Sequence, residues 1–368
     1  MQMACRRLRR SVVAFSCATF LYVPVCAAQG AAADDLLRRY RALVDAYAEH
    51  DKSAVRELLQ WNDKQIVTVL TRLDTPGDPL RPWSARRYKA AIMLHTDAAL
   101  QLFDANEETM QHQLDAAVAL AARAQQNDAG DVGEFASRWS IAVSRLLRDR
   151  LRPRTAERFL GEIRKALPDD AGVLFESGTL AEELATAYAF EIDLAMTDAM
   201  RRRTVETIVE RVLQRRKERL ETAARWLEEA LAVQATESAR LHLGRVRMLL
   251  GEDAEALRVF GNLESSEDPG VAYLAPLFTA AVHERQGHLD EAAAAYGRAH
   301  ARYPRGHSAV IGLSAVQQRT GKGDASRESL QSLLAQPAEP DDPWWWYQYD
   351  PAGAADQRVD AIRQEARR

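Results

Sequence analysis

Residues 273–304 read YLAPLFTAAVHERQGHLDEAAAAYGRAHARYP and hold the most regular pattern of the chain. Ala280 lies seven residues before Gly287, and Tyr296 and Pro304 follow at the spacing of a second helix and its end. Glycine in a turn adopts a positive φ and ends a first helix, whereas proline cannot continue a second one. The stretch therefore predicts two helices joined by a tight turn.

Neighbouring stretches repeat this spacing, and the turn glycines Gly251, Gly287 and Gly321 lie 36 and 34 residues apart. A small residue in the first helix lets the second helix cross closely, and a small–aromatic pair four residues apart lies on one face of the second helix. The equivalent positions are Gly244, Ala256 and Phe260 upstream and Ser314, Ser326 and Leu330 downstream. A further copy has Ser144, Leu151, Ala156 and Leu160, with Arg152-Pro153-Arg154 in its turn in place of glycine.

This pattern resembles the tetratricopeptide repeat family, whose period is about 34 residues. The resemblance covers about residues 137–337 and implies an all-α, right-handed α-solenoid of antiparallel helix pairs. Because a repeat fold hosts many functions, the motif indicates the fold far more strongly than the activity.

Two departures from the repeat are predicted. Residues 29–136 are expected to form an irregular helical region of divergent repeats, with a hairpin of residues 85–103 and 107–124. There the β-branched run Ile66, Val67 and Leu70 fits either a helix or a strand. A second departure is a long helical hairpin, inserted at about residues 186–222, because two apolar stripes at helical spacing replace the expected second helix.

The N-terminus has the pattern of a secretory signal peptide, predicted for residues 1–28. Four arginines without an acid precede an apolar run at residues 11–25, and small residues follow, so cleavage is expected after Ala27 or Ala28. The alternative is that the segment stays uncleaved and anchors the chain in the membrane. This is the only membrane contact that we expect. All three cysteines, Cys5, Cys17 and Cys26, lie in this leader. We therefore expect export to the periplasm or cell envelope, and a mature chain without thiol chemistry.

The C-terminal residues 338–368 are predicted to form a Trp-rich tail and a capping helix. An acidic, proline-rich link leads to the aromatic run Trp344-Trp345-Trp346-Tyr347-Gln348-Tyr349. Aromatic rings of this kind would cover the last repeat at Leu330 and Leu333, since a final repeat otherwise leaves its core face exposed. The alternative is a carbohydrate- or small-ligand-binding platform.

No catalytic, cofactor-binding or metal-ligating constellation is evident. His283 and His288 are five residues apart, whereas a zinc-protease helix needs histidines four apart. A rival enzyme hypothesis places a site in the N-terminal region, where one hairpin carries His95, Asp97, Asp104 and His112. The net charge of −4 does not produce the positive electrostatic potential that attracts nucleic acid.

What remains is a protein-binding surface, so we expect a non-enzymatic scaffold whose oligomeric state the sequence leaves open. In the family that the chain resembles, first helices line a concave groove for a peptide or helix. Replacing Arg145 and Arg148 by glutamate would then weaken capture without changing the melting temperature. The matching groove positions are Arg138, Ile141, Arg145, Arg148, Phe175, Leu241, Arg245, Met248, Leu277, Arg285, Ile311 and Arg319; Glu182 and Glu284 lie on the same face.

Overall fold

The computed structural model describes residues 27–73, 83–202, 205–335, 342–348 and 354–368. All regular elements in these ranges are helices, which confirms the all-α prediction. They are α1 (Ala27–Ala48), α2 (Ser53–Leu58), α3 (Asp63–Arg72), α4 (Ala85–Gln101), α5 (Glu107–Gln126), α6 (Val132–Asp149), α7 (Pro153–Ala166), α8 (Ala171–Arg202), α9 (Val205–Val233), α10 (Glu237–Leu250), α11 (Asp253–Leu263), α12 (Pro269–Gln286), α13 (Leu289–Arg302), α14 (His307–Arg319), α15 (Gly323–Leu334), α16 (Pro343–Gln348) and α17 (Ala354–Ala366). The predicted leader lies outside the described residues, apart from its last two positions.

From α4 to α15 the helices form consecutive hairpins, and the first helices α4, α6, α8, α10, α12 and α14 also contact one another in that order. The result is a tetratricopeptide-like α-solenoid with one layer of first helices and one of second helices. We call the exposed side of the first layer the first-helix face.

The repeat positions behave as their spacing predicts. Gly251, Gly287 and Gly321 have φ of 85°, 80° and 76° and end their helices in the left-handed conformation. Gly244 faces the ring of Phe260, where an added Cβ would lie 2.7 Å from a ring carbon. Leu151 keeps the left-handed turn with φ of 58°, so the turn geometry persists in the copy that lacks glycine.

In the N-terminal region, the ambiguous run at Ile66 is helical. Asn62 caps α3 by accepting a hydrogen bond of 3.0 Å from the backbone N–H of Gln65, and the Gln65 side chain accepts one of 2.9 Å in return. This capping box satisfies donors that the first turn leaves without partners. Ile66 and Val69 are buried against the N-terminal core, so capping and packing override the β-branched composition.

The long hairpin consists of α8 and α9, which have 32 and 29 residues. Their repeat-like parts meet at Gly178, which faces Leu227 and the backbone of Ala223. The extension therefore lengthens both helices of one repeat, because α8 runs unbroken from the first-helix position and α9 runs unbroken into the second.

The C-terminal helix is present, but it does not cover the last repeat. Helix α17 packs on α6 and α4, and α16 packs on α12. Leu330 is 38% exposed and Leu333 is only partly buried, so the expectation that the aromatic rings cover these two residues is wrong. The physical reason is that Trp344 and Tyr347 pack against the apolar cluster of α10–α14, and Val359 and Ile362 pack in the cluster of the N-terminal half.

Candidate functional site: the first-helix face and the C-terminal segment

The site is the contact between the first-helix face and residues 342–348 and 354–368, which we call the tail. Trp344 and Tyr347 join the apolar cluster of α10–α14, whereas Ala355, Val359 and Ile362 join the cluster of the N-terminal half. The tail thus lies across first helices from both halves of the solenoid.

Tyr347 stacks on the His242 imidazole, with ring centroids 4.2 Å apart and planes inclined by 16°. Its other neighbours are Phe278, edge-on at 5.4 Å, and Trp344, parallel at 5.8 Å. The guanidinium of Arg245 lies 5.0 Å from the ring centres of both Trp344 and Tyr347. A cation over two aromatic faces is attracted by both ring quadrupoles.

The polar centre of this cluster is Glu182, which is 2% exposed. It accepts hydrogen bonds from the phenol of Tyr347 at 2.7 Å and from Arg245, and it pairs with His242 Nδ1 at 2.7 Å. Burial alone would raise the pKa of Glu182, but His242 and Arg245 lower it to about 2. Burial of the phenol, together with Glu182, raises the pKa of Tyr347 well above its usual value. The carboxylate therefore stays ionised and the phenol stays a donor.

Asp342 fixes the start of α16. It is 2% exposed and accepts hydrogen bonds from the backbone N–H of Trp344 at 2.9 Å and of Ser308 at 2.7 Å. Ser308 belongs to the first turn of α14, where backbone donors and the helix dipole favour a carboxylate. The hydroxyl of Tyr273 also donates to Asp342, at 3.4 Å.

Helix α17 is held by a fork between Arg363 and Asp97 of α4. Arg363 Nε and one terminal nitrogen donate three hydrogen bonds of 2.7–3.0 Å to the two Asp97 oxygens. Tyr47 donates a further bond of 2.7 Å to the same carboxylate. Although burial opposes its charge, Asp97 raises the pKa of Arg363.

A predicted groove residue, Arg138, pairs with Glu365 of α17 at 2.8 Å, and Lys89 lies 3.7 Å from the same carboxylate. Arg150 pairs with Asp356 at 3.1 Å. Both ends of α17 therefore carry charges that match those of the first-helix face, in addition to its apolar stripe.

Arg145 and Arg148 point towards α8. Both reach Glu176, which is fully buried, at 3.0 and 2.7 Å, and Arg148 also binds Glu183. Burial would raise the pKa of Glu176, yet the two arginines lower it. The structure therefore predicts, contrary to the expectation from the sequence, that charge reversal lowers the melting temperature, because it would leave a buried carboxylate unpaired.

The other predicted groove positions divide by place. Leu241, Met248 and Leu277 are buried in the cluster that receives the tail rings, and Phe175 lies edge-on to His242 at 5.3 Å. Ile141 packs near Gly172.

The remaining predicted positions lie nearer the last repeat. Arg285 pairs with Asp253, Arg319 pairs with Glu284, and Ile311 is 55% exposed.

The four residues of the enzyme hypothesis do not form one site. His95 is fully buried between Tyr40 and Gln113, and burial lowers its pKa to about 4. Asp97 binds the tail, Asp104 is exposed, and His112 lies 3.0 Å from Asp63 at the surface. A cleft of about 490 Å³ between α1, α2 and α3 contains none of the four.

Within the part of the chain that the structure describes, no group of three or more histidines, cysteines or acids is arranged to hold a metal ion. Among the described helices, none combines the length and apolar character that a bilayer crossing requires.

The sequence predicts a groove lined by first helices, but it does not predict the tail residues that lie on these helices. The sequence places Glu182 on the predicted groove face without a role, and Asp97 belongs to the rival enzyme hypothesis. Arg363 and Glu365 carry no signal in the sequence, because an isolated charge near a chain end is ordinary. The available signal was Asp342 directly before Pro343 and an aromatic pair three residues apart, which marks a capped helical turn with one apolar face.

No family model matches the chain, and no curated protein matches it. Among solved structures, a crystal structure of MamA is 14% identical with a TM-score of 0.37, covering 52% of this chain and 92% of that one. MamA from Desulfovibrio magneticus RS-1 is 13% identical with a TM-score of 0.38, covering 54% and 93%. A monomeric IFIT1 mutant with m7Gppp-AAAA is 13% identical with a TM-score of 0.34, covering 78% and 67%. The α-solenoid is evident from the contacts between the helices of this chain itself.

Proposed function

We propose that this chain is a non-enzymatic interaction scaffold of the cell envelope, which binds a segment of a partner protein on its first-helix face. The observation that carries the proposal is the tail. A helical turn and a helix of the chain itself lie on this face and use aromatic, apolar and ionic contacts together. A surface that holds one polypeptide in this way has the chemistry to hold another.

The contacts are of the kind that recognises protein segments. Arg138 and Arg245, both predicted groove residues, bind Glu365 and the rings of Trp344 and Tyr347. Aromatic residues and arginine dominate the energetics of protein interfaces. The first-helix face therefore presents both an anchor cluster and a set of flanking charges.

Two alternatives receive less support. A carbohydrate platform needs open aromatic faces, yet Trp344 and Tyr347 are partly buried against Phe278 and His242; among the tail rings that the structure describes, only Trp345, at 53%, is exposed. An enzyme in the N-terminal region needs convergent groups, and the four candidates lie apart.

Export remains part of the proposal through the leader. Expression of the full sequence followed by cell fractionation and mass measurement tests it. We expect a mature species that begins at Ala28 or Gln29 in the periplasmic fraction. A full-length species in the membrane fraction would favour the uncleaved anchor, and a full-length cytosolic species would contradict export.

Partner binding is tested with the full chain immobilised as wild type, as Trp344→Ala/Tyr347→Ala, and as Trp345→Ala. Each is exposed to an envelope extract and then eluted with a synthetic peptide of residues 342–368. We expect the peptide to elute envelope proteins from the double-variant column. The same proteins should be scarce in the eluates of the wild type and of the Trp345→Ala control. Identical eluates from all three columns would contradict the proposal.

A further inference from the structure

The tail rings sit in a site that the solenoid builds on its own. We define the aromatic subsite as Phe175, Glu182, His242, Arg245 and Phe278. Phe175 and His242 contact each other edge-on at 5.3 Å, and Arg245 lies 5.9 Å from the Phe278 ring centre. These contacts exist between first helices α8, α10 and α12, without a contribution from the tail.

The subsite keeps its polar groups satisfied when the tail leaves. Glu182 has three side-chain partners, and two of them, His242 and Arg245, belong to the solenoid. Removing Tyr347 therefore leaves the buried carboxylate paired, which avoids the large penalty of an isolated buried charge. In an empty subsite Glu182 therefore keeps two partners and has one acceptor site open to a new donor.

The subsite recognises a specific arrangement of one hydroxyl group and two aromatic rings. The hydroxyl of Tyr347 is recognised by Glu182, and its ring lies between His242 and Phe278. The Trp344 ring, three residues earlier on the same side of the turn, lies edge-on to Phe278 at 5.7 Å.

Asp342 precedes this pair and accepts a hydrogen bond from the backbone N–H of Ser308. Trp345, between the two anchors, is exposed. The recognised pattern is thus an acid at a helix cap followed by two aromatic residues three apart, the second a tyrosine.

The occupant is short. Helix α16 has six residues, and a helix of that length has no stability of its own in water. Its order comes from contacts with the subsite and from its covalent link to the solenoid, which gives the segment an effective concentration in the millimolar range. A partner segment with the same pattern makes the same contacts in the subsite, and additional contacts elsewhere allow it to displace this occupant.

We propose that the aromatic subsite binds a partner protein through a capped helical turn of this pattern, Asp followed by two aromatic residues three apart ending in tyrosine. Residues 342–348 occupy the subsite in the absence of that partner. This inference rests on the proposed function, because it names the partner chemistry for the same face.

The probe is a fluorescent synthetic peptide of residues 342–348, titrated into full-length protein. Trp344→Ala/Tyr347→Ala empties the subsite, whereas Trp345→Ala is a matched control that changes an adjacent, exposed ring. We expect the double variant to bind the peptide at least tenfold more tightly than the wild type or the control, because no tethered competitor remains. A peptide with phenylalanine in place of Tyr347 should bind about tenfold more weakly, since it lacks the donor to Glu182.

Equal affinity of the double variant and the wild type would overturn the inference, as would a phenylalanine peptide that binds equally well. Circular dichroism and melting curves check that the variants fold. Should the double variant not fold, hydrogen exchange on the wild type replaces it. Excess peptide is then expected to speed exchange in residues 342–348, and unchanged exchange would overturn the inference.

Two outcomes separate this inference from the proposed function. Absent peptide binding, together with envelope proteins still eluted by the longer tail peptide, would remove the aromatic subsite and leave the scaffold. Peptide binding without any such eluted protein would support the subsite chemistry and remove the scaffold function. A dimer that disappears in Tyr347→Ala would overturn the inference in favour of tail exchange with a second copy.

Discussion

The phenol of Tyr347 donates a hydrogen bond of 2.7 Å to the buried carboxylate of Glu182, although 165 positions of sequence separate the two residues. The bond joins the C-terminal segment to the middle of the solenoid. Together with the fork between Arg363 and Asp97, it makes the tail a packed part of the structure that lies on the first-helix face.

Replacing Asp97 by asparagine should loosen α17. The change removes the charge that Arg363 binds, and hydrogen bonds to charged groups contribute about 1.5–3 kcal/mol each. We expect the free energy of unfolding to fall by about 2 kcal/mol, and amide hydrogen exchange to accelerate in residues 354–366.

Asp360→Asn is the matched control, because Asp360 pairs with the same Arg363 but is 62% exposed, against 13% for Asp97. An exposed pair contributes about 0–1 kcal/mol. Equal losses in both variants would contradict the assignment of Asp97 as the anchor of α17.

Arg148→Ala should destabilise the chain far more than Arg319→Ala. Arg148 pairs with the fully buried Glu176, whereas Arg319 and its partner Glu284 are 49% and 28% exposed. Removing one partner of a buried pair costs about 3 kcal/mol, and removing an exposed one costs about 0.5 kcal/mol. Chemical denaturation measures both values, and comparable midpoints would show that Glu176 finds a sufficient substitute.

Leu151→Gly should stabilise the protein. Leu151 adopts φ of 58° and is 87% exposed, so glycine relieves the left-handed strain and loses little burial. A left-handed conformation costs a residue with a side chain about 1–2 kcal/mol, and we expect thermal unfolding to show a gain of about 1 kcal/mol. The reciprocal change Gly251→Ala should lose about as much; a loss from Leu151→Gly would contradict the strain.

The repeats were predictable because their signals are local. A turn glycine, a small residue such as Gly244 and an aromatic such as Phe260 act within one hairpin, and that spacing is visible in the sequence. The first-helix face followed from the same register, and Arg138 and Arg245 do contact the tail.

The tail was not predictable for the opposite reason. Arg363 and Asp97 are 266 positions apart, and their meeting depends on how all the intervening repeats stack. The buried network around Glu176 was not predictable either. An acidic residue on a first helix has the same local sequence pattern whether its side chain faces water or two arginines.

Stability should fall as the pH is lowered from 7.5 to 5, and His95 should account for part of the change. Burial lowers its pKa from 6.5 to about 4, so the unfolded chain binds a proton in this window and the folded chain does not. Stability is therefore full above pH 6.5 and decreases as the pH falls towards 4, by about 2 kcal/mol at pH 5.

Denaturation of the wild type and of His95→Gln at the two pH values measures this contribution, since glutamine does not titrate. Glu182 does not interfere: its pKa of about 2 lies below the unfolded value of 4.5, so its contribution is complete above pH 4.5 and disappears as the pH falls through 2. An identical pH response in both proteins would contradict the burial of a neutral His95.

Zero-length carbodiimide coupling tests most directly whether the tail lies on the first-helix face, because Lys89 Nζ and Glu365 Oε1 are 3.7 Å apart. Peptide mass spectrometry of the coupled full chain should identify an amide between these two residues in the monomeric fraction. A monomer in which nearby pairs such as Lys165 and Glu162 couple while Lys89 and Glu365 do not would contradict the account.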